Sequence, residues 1–279
     1  MALNLDIIGK TTEPITFTYT KDTMILYALG IGAGPNELDF IYEKKIKVFP
    51  TFAVIPFMPS FINSFMPVAN INPFALLHGE HKIILHKSIP SSGTVFTSIT
   101  CDSIYDKGDK GAILNVTFET RNKQGDLIFE NKAVAIDKSA GNFDGDRGPK
   151  PEVHVPPEGK KPDFCTEYTI SQNQAALYRL SGDKNPLHVD PEFSKKVGFD
   201  QPILHGLCSF GFTGRAVLHN LCNSDPARLK SFAVRFMNVV YPGDRLKTMG
   251  WKTASKTYII QTINQDDKLI LGNAVVEIV

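Results

Sequence analysis

Apolar and polar positions change their period twice along the second half of the chain. Residues 207–218 are apolar almost without a break (Leu207-Cys208-Ser209-Phe210-Gly211-Phe212-Thr213-Gly214-Arg215-Ala216-Val217-Leu218), which predicts a buried helix. Four runs rich in aromatic and β-branched residues follow, at 231–241, 246–253, 257–264 and 269–278. Pro242-Gly243-Asp244 and Gln265-Asp266-Asp267 lie between them, so they predict antiparallel strands joined by hairpins. Upstream, Ser171-Gln172-Asn173-Gln174 fits a capping box. The helix it opens buries Ala175, Ala176, Tyr178 and Leu180, is capped by Gly182, and is barred from continuing by Asn185-Pro186. A helix set against antiparallel strands is an α+β pattern.

The same order occurs twice. Tyr19-Thr20 leads to Tyr27-Ala28-Leu29-Gly30 as Tyr168-Thr169 leads to Tyr178-Arg179-Leu180-Ser181, and His78-Gly79 recurs as His205-Gly206. Leu127-Ile128-Phe129 closes the first half as Leu269-Ile270-Leu271 closes the second. Between them, residues 138–163 hold five prolines and four glycines among charges, which reads as a linker. The predicted organisation is a first repeat at 1–137, a linker at 138–163 and a second repeat at 164–279.

Candidate chemistry sits in the second repeat. Asp183 and His188 lie past the helix end in a loop stiffened by Pro186, so both can be folded onto one small molecule such as water, with Asn185 holding them in register. Asp, Asn, Gly and Pro after a helix are also ordinary loop composition. The second element is His205-Gly206 at the start of the buried helix. The first N–H groups of a helix lack intrahelical partners, and a glycine there lets a carbonyl oxygen approach Gly206 and its neighbour Leu207, so an oxyanion hole is predicted. The corresponding loop of the first repeat, Gly30-Ile31-Gly32-Ala33-Gly34-Pro35-Asn36, has neither Asp nor His. Its Gly-x-Gly-x-Gly string ends a helix instead of joining a strand to one, which argues against a dinucleotide site.

Residues 178–188 together with Ser194 and His205-Gly206 resemble the hydratase 2 motif of the MaoC-like group. Over nearly the whole chain the sequence is similar to the hydratase 2 region of peroxisomal multifunctional enzymes of type 2, through Tyr27-Ala28-Leu29-Gly30, Phe40-Ile41-Tyr42-Glu43, Pro50-Thr51-Phe52 and His78-Gly79-Glu80. The resemblance implies a double hot-dog fold and (R)-specific hydration of trans-2-enoyl-CoA to (3R)-3-hydroxyacyl-CoA in fatty acid β-oxidation. It also implies a peroxisomal setting, possible fusion to dehydrogenase domains, and an acyl-chain pocket shaped by the first repeat, with 52–74 as its lining. Glu43 becomes a secondary site candidate by the same resemblance. Tyr27 and Tyr178, at matching positions, are secondary candidates for substrate contact, although a buried structural hydroxyl suits both. Arg235 faces either a CoA phosphate or the outside of the sheet.

Composition narrows the remaining classes. A net charge of +1 and a pI near 7.7 argue against nucleic acid or an anionic membrane as the main partner. Cys101, Cys165, Cys208 and Cys222 are widely spaced, and His78, His81 and His86 lack a carboxylate at metal-site spacing, so reduced thiols, no metal and no cofactor beyond the CoA of the substrate are expected. The most apolar stretch, 52–77, is broken by Pro56, Pro59, Pro67 and Pro73, which predicts no membrane-spanning helix. The first residues carry no secretory pattern and the last three are not a peroxisomal signal. A homodimer is expected of so sheet-rich a chain. Two other functions fit the same fold: a hot-dog acyl-CoA thioesterase, against which the Asp183-x-Asn185-Pro186-x-His188 loop argues, and a non-catalytic acyl-CoA binding module that keeps the loop for structure.

Overall fold

The computed structural model describes residues 2–279. Its strands are β1 (Ile15–Tyr19), β2 (Leu76–Leu85), β3 (Gly93–Asp106), β4 (Ala112–Arg121), β5 (Leu127–Asp137), β6 (Phe164–Thr169), β7 (Leu229–Phe236), β8 (Arg245–Ala254), β9 (Thr257–Ile263) and β10 (Leu269–Ile278). They form one antiparallel sheet in the order β1-β3-β4-β5-β2-β7-β10-β9-β8-β6. Read from either end, the order brings equivalent strands of the two repeats to equivalent places. Its centre is the β2–β7 pair, where Glu80 faces Arg235 and Lys82 faces Ala233. Each half-sheet wraps one long core helix, the hot-dog arrangement made twice, and the two halves share one sheet.

The second core helix, Gly206–Leu221, is buried at every residue from Leu207 to Leu218. Two glycines let it lie against the first repeat. A Cβ on Gly211 would stand 2.3 Å from Ile31, and one on Gly214 2.4 Å from Thr51, so neither position has room for a side chain. The first core helix occupies Pro50–Ala69, where the prolines were expected to break the chain. They do not, because each falls where the winding starts or changes: Pro50 opens a 3-10 turn after extended Phe49, where its N–H would be unpaired in any case, Pro56 lies just past the junction of that turn with Val54–Ser60, and Pro67 lies in the first turn of Met66–Ala69, just past a π turn. Pro59 is interior, and a π turn at Phe61–Phe65 follows it. By length and hydropathy alone this helix passes for a membrane span, yet Phe57, Phe61 and Phe65 are buried against the sheet while Ile62 and Val68 stay exposed.

Three local expectations give way. The helix after β6 is only Gln174–Tyr178, and Gln174 does not close a capping box. Its amide instead donates to the carbonyls of Leu29 and Gly30, capping the end of the matching helix Lys21–Gly30 in the first repeat. His78-Gly79 lies within β2, whereas His205-Gly206 starts a helix, so the two dipeptides are not equivalent. The strand at 231–241 ends at Phe236. Residues 138–163 contain no helix or strand, but the segment is held: His154 N–H donates to Asn273 Oδ1, and Asn273 Nδ2 donates to the Glu152 carbonyl on the way across β10.

Candidate active site

The loop after Tyr178 is built to hold a carboxylate beside an imidazole. Gly182 takes φ +137°, turning the chain out of the helix where a side chain would be strained. The Asn185 N–H then donates to Asp183 Oδ1 at 3.2 Å, and Asn185 Oδ1 accepts from the Leu187 N–H at 3.1 Å, winding Pro186–His188 into a 3-10 turn. Asn185 therefore fixes the carboxylate through its backbone and stiffens the turn through its side chain. Asp190 caps the next short helix, Pro191–Lys196, where Ser194 is buried and donates to the Pro191 carbonyl.

His188 is buried, and its Nδ1 lies 2.9 Å from the Ile203 carbonyl. A carbonyl only accepts, so Nδ1 carries the proton and Nε2 of the neutral ring offers a lone pair. Burial pushes this imidazole below its ordinary range, opposed by the Asp183 carboxylate and the Ile203 carbonyl. His205 stacks on it with ring centroids 3.6 Å apart. The His205 Nε2 donates to the Asp183 carbonyl at 3.1 Å, which leaves Nδ1 as a buried acceptor without a donor among the described residues. Burial and the neighbouring His188 bring His205 down to about 2, so it is neutral. Donor atoms of Asp183, His188 and His205 lie within 4.8 Å of one another, close enough to share a water or an ion.

Gly206 follows as the first residue of the core helix and is exposed. Among the described residues no acceptor meets its N–H or that of Leu207. A Cβ on Gly206 would lie 3.2 Å from the Phe236 ring, so the glycine keeps the approach to the N–H open. A cavity of about 300 Å³ opens beside His188, bounded by Ala175, Val189, Pro202 and Pro242.

The secondary candidates are distributed differently. Tyr178 is buried with its ring 4.9 Å from that of His205, and Tyr27 is buried 6.2 Å from Tyr178; burial raises both phenols. Glu43 follows a helical turn, Leu38–Ile41, and is exposed, with its carbonyl accepting from Lys21 Nζ. Arg235 alternates with Val234 and Phe236, which face the core helix, and it forms an ion pair with Glu80 across the central strands, so it points to the sheet's other face. Neither Glu43 nor Arg235 is tied to the Asp183 loop. His78 and His81 are within hydrogen-bond reach at 3.2 Å, and His81 reaches Asn131 at 2.9 Å; burial lowers both, His78 to about 4.

One buried charge cluster was missed by sequence reasoning. Glu37 makes a two-oxygen ion pair with Arg215 at 2.6 and 2.7 Å and accepts from His219 at 2.7 Å. Arg215 also lies over the Tyr168 ring at 4.0 Å. Burial works to raise the Glu37 carboxyl, but the hydrogen bonds from His219, Arg215 and the Gly34 N–H outweigh it and hold the group at about 2. The signal for it was present: Tyr27 to Glu37 and Tyr178 to His188 are both ten residues, with Pro35 matching Pro186. In the first repeat, then, Gly32 stands for Asp183, Gly34 for Asn185 and Glu37 for His188. The helix start is matched too. Phe49 (φ −59°, ψ 127°) precedes Pro50 as His205 (φ −58°, ψ 134°) precedes Gly206, and proline has no N–H to offer an oxyanion.

A fold doubled in one sheet, with a carboxylate, two neutral histidines and a free helix N-terminus on one side, is the architecture of a MaoC-like hydratase. The chain belongs to the MaoC-like enoyl-CoA hydratase 2 family: residues 17–137 match the model for the MFE-2 hydratase 2 N-terminal domain and 154–273 that for the MaoC like domain. It is 38% identical to a probable enoyl-CoA hydratase 2 of Dictyostelium discoideum, over 96% of this chain and 94% of that protein. Among solved structures it is similar to a MaoC-like dehydratase from Phytophthora capsici, with 33% identity, TM-score 0.88 and 99% of each chain covered. It is also similar to the peroxisomal multifunctional enzyme type 2 from Drosophila melanogaster, with 34% identity and TM-score 0.84, over 96% of this chain and 48% of that one; the chain spans about half of that larger enzyme.

Proposed function

We propose that the protein adds water to the double bond of trans-2-enoyl-CoA to give (3R)-3-hydroxyacyl-CoA, with Asp183, His188 and Gly206 as its catalytic groups. The observation that carries this reading is the convergence of Asp183, His188 and His205 within 4.8 Å beside the unpaired Gly206 N–H. The His188 lone pair and the Asp183 carboxylate are two acceptors for the two O–H bonds of one water. As one of them takes a proton, the water oxygen bonds to Cβ and the π electrons move towards the thioester, placing charge on its oxygen. Gly206 N–H, aided by the helix dipole, receives that charge. The enolate then collapses, Cα takes a proton from the protonated member of the pair, and water has been added across the bond. Holding both proton positions on one side makes the addition syn.

No step in this scheme calls for a metal or a redox cofactor. The (R) configuration, the peroxisomal setting and fusion to dehydrogenase domains are carried by likeness to the hydratase 2 relatives, a homodimeric state is carried by the sheet-rich fold alone, and 52–74 remains the lining we assign to the acyl chain. The test is direct: the purified chain is offered trans-2-enoyl-CoA while conjugated-enoyl absorbance is followed, and the product is resolved on a chiral phase. Loss of absorbance with a (3R)-hydroxyacyl product is expected. Release of free CoA would make the protein a thioesterase, and the (3S) product would overturn the stereochemical assignment.

A further inference from the structure

A second cavity is larger than the one beside His188. It has a volume of about 660 Å³ and lies in the other half of the molecule's approximate twofold, where two of its lining positions correspond to positions at the mouth of the active site. Ile46 in its wall precedes Phe49 by three residues, as Pro202 at the active-site mouth precedes His205 by three. Ser91 stands six residues after β2, as Pro242 stands six after β7. His86 N–H donates to the Ile128 carbonyl as Met237 N–H donates to that of Ile270, fixing the same register in both halves.

The chemistry at this second mouth is split. Inward, catalysis is closed off: Pro50 in the wall lacks an N–H, Phe49 beside it stacks on Phe40 at 4.0 Å, and Glu37 is held by Arg215 and His219. Outward, the lining keeps Lys47, Lys87 and Lys230 around an apolar wall that includes Val48, Leu85 and Leu229. Lys47 and Lys87 pair with Asp39 and Asp126, which lie outside the lining, and exposed pairs of this kind yield readily to a phosphate. Lys230 is exposed and has no carboxylate within 4 Å among the described residues. The one lining carboxylate side chain, Asp225, is turned to the Ala227 N–H. An apolar wall ringed by cations in a cavity of this size suits a base bearing phosphates.

We infer that this cavity binds the phosphorylated adenosine end of a CoA thioester without turning it over, an inference that rests on the reading of the His188 side as a CoA-thioester site. The test is isothermal titration of the full chain with unacylated CoA. Two equivalents per chain are expected, one of them displaced by 3′,5′-ADP and not by equimolar inorganic phosphate. Lys87→Glu with Lys230→Glu should abolish that equivalent with the hydration rate unchanged, and Lys230→Gln alone should weaken it at least fivefold. A single equivalent of CoA, a second one that neither variant weakens, or equal displacement by inorganic phosphate would overturn the inference. Turnover of enoyl-CoA with one equivalent bound defeats this inference alone; two equivalents bound with no turnover defeats the hydratase reading instead.

Discussion

The chain contains its own design for removing the oxyanion donor, and copying it gives a sharp test. Gly206→Pro installs at the second core helix what Pro50 already is at the first. The backbone accepts it: proline is favoured at the first helical position, and His205, at φ −58° and ψ 134°, has the extended conformation required before proline. The new Cβ would lie 3.2–3.3 Å from the Phe236 ring, a crowding that a part-buried ring relieves by moving a few tenths of an ångström. What disappears is one N–H aimed at the oxygen on which charge develops. Removing one such donor costs about 100- to 1000-fold, or about 2.7–4 kcal/mol, and the loss should fall on kcat because the bond strengthens as the enolate forms. The assay is steady-state hydration of trans-2-enoyl-CoA, with circular dichroism as the check on folding. Gly206→Ala is the control, since it adds the same Cβ and keeps the N–H. Activity of the proline variant within tenfold of the parent, or an equal loss in the alanine variant, would refute the assignment.

Further outcomes follow from the same geometry. Asp183→Asn and His188→Ala should each lower hydration by about 100- to 10,000-fold with unchanged circular dichroism; substantial turnover by either variant would remove the acid/base roles. Glu37→Gln leaves the buried Arg215 without its counter-charge and should destabilise the fold by about 3–5 kcal/mol in urea unfolding; a loss under 1 kcal/mol would show that the cluster is not structural. Acid should destabilise the protein early. His78, His81, His188 and His205 are all held neutral by burial, with His78 at about 4 and His205 at about 2, so below their ordinary value near 6.5 the unfolded chain binds protons that the fold refuses. Stability is therefore full above about pH 6.5 and declines as the pH falls towards 4, a slope measurable by urea unfolding at pH 7.5 and pH 5; a flat profile would contradict it.

Where sequence and structure agree, the determinant is local. The strand at Leu269–Ile278 was legible because its β-branched run sits between a polar turn and the chain end, and the buried helix because Leu207 to Leu218 has no polar face to place in water. The Asp183 loop was legible from its glycine, proline and titratable groups. What escaped was decided across the two repeats. Gln174 reads as half of a capping box until its amide is seen on Leu29 and Gly30, 145 and 144 residues away. The prolines of Pro50–Ala69 read as breakers because hydropathy does not show which of them begins a new segment. Glu37 carried no signal of its own because Arg215 lies 178 residues further on. His78-Gly79 misled by repeating two letters of a motif in a different element.

The held segment between β5 and β6 decides what kind of asymmetry the molecule can keep. It starts beside the middle of the sheet, is fastened to Asn273 as it passes β10, and delivers the chain to the far edge strand. Six strand spacings of about 4.8 Å make that crossing roughly 29 Å, well within the reach of the intervening residues. Two unjoined copies would have to carry every substitution twice, so a proline that silenced one helix start would silence the other. Tied into one chain, Pro50 and Gly206 are inherited as unlike partners, and one half is free to lose its chemistry while the other retains it.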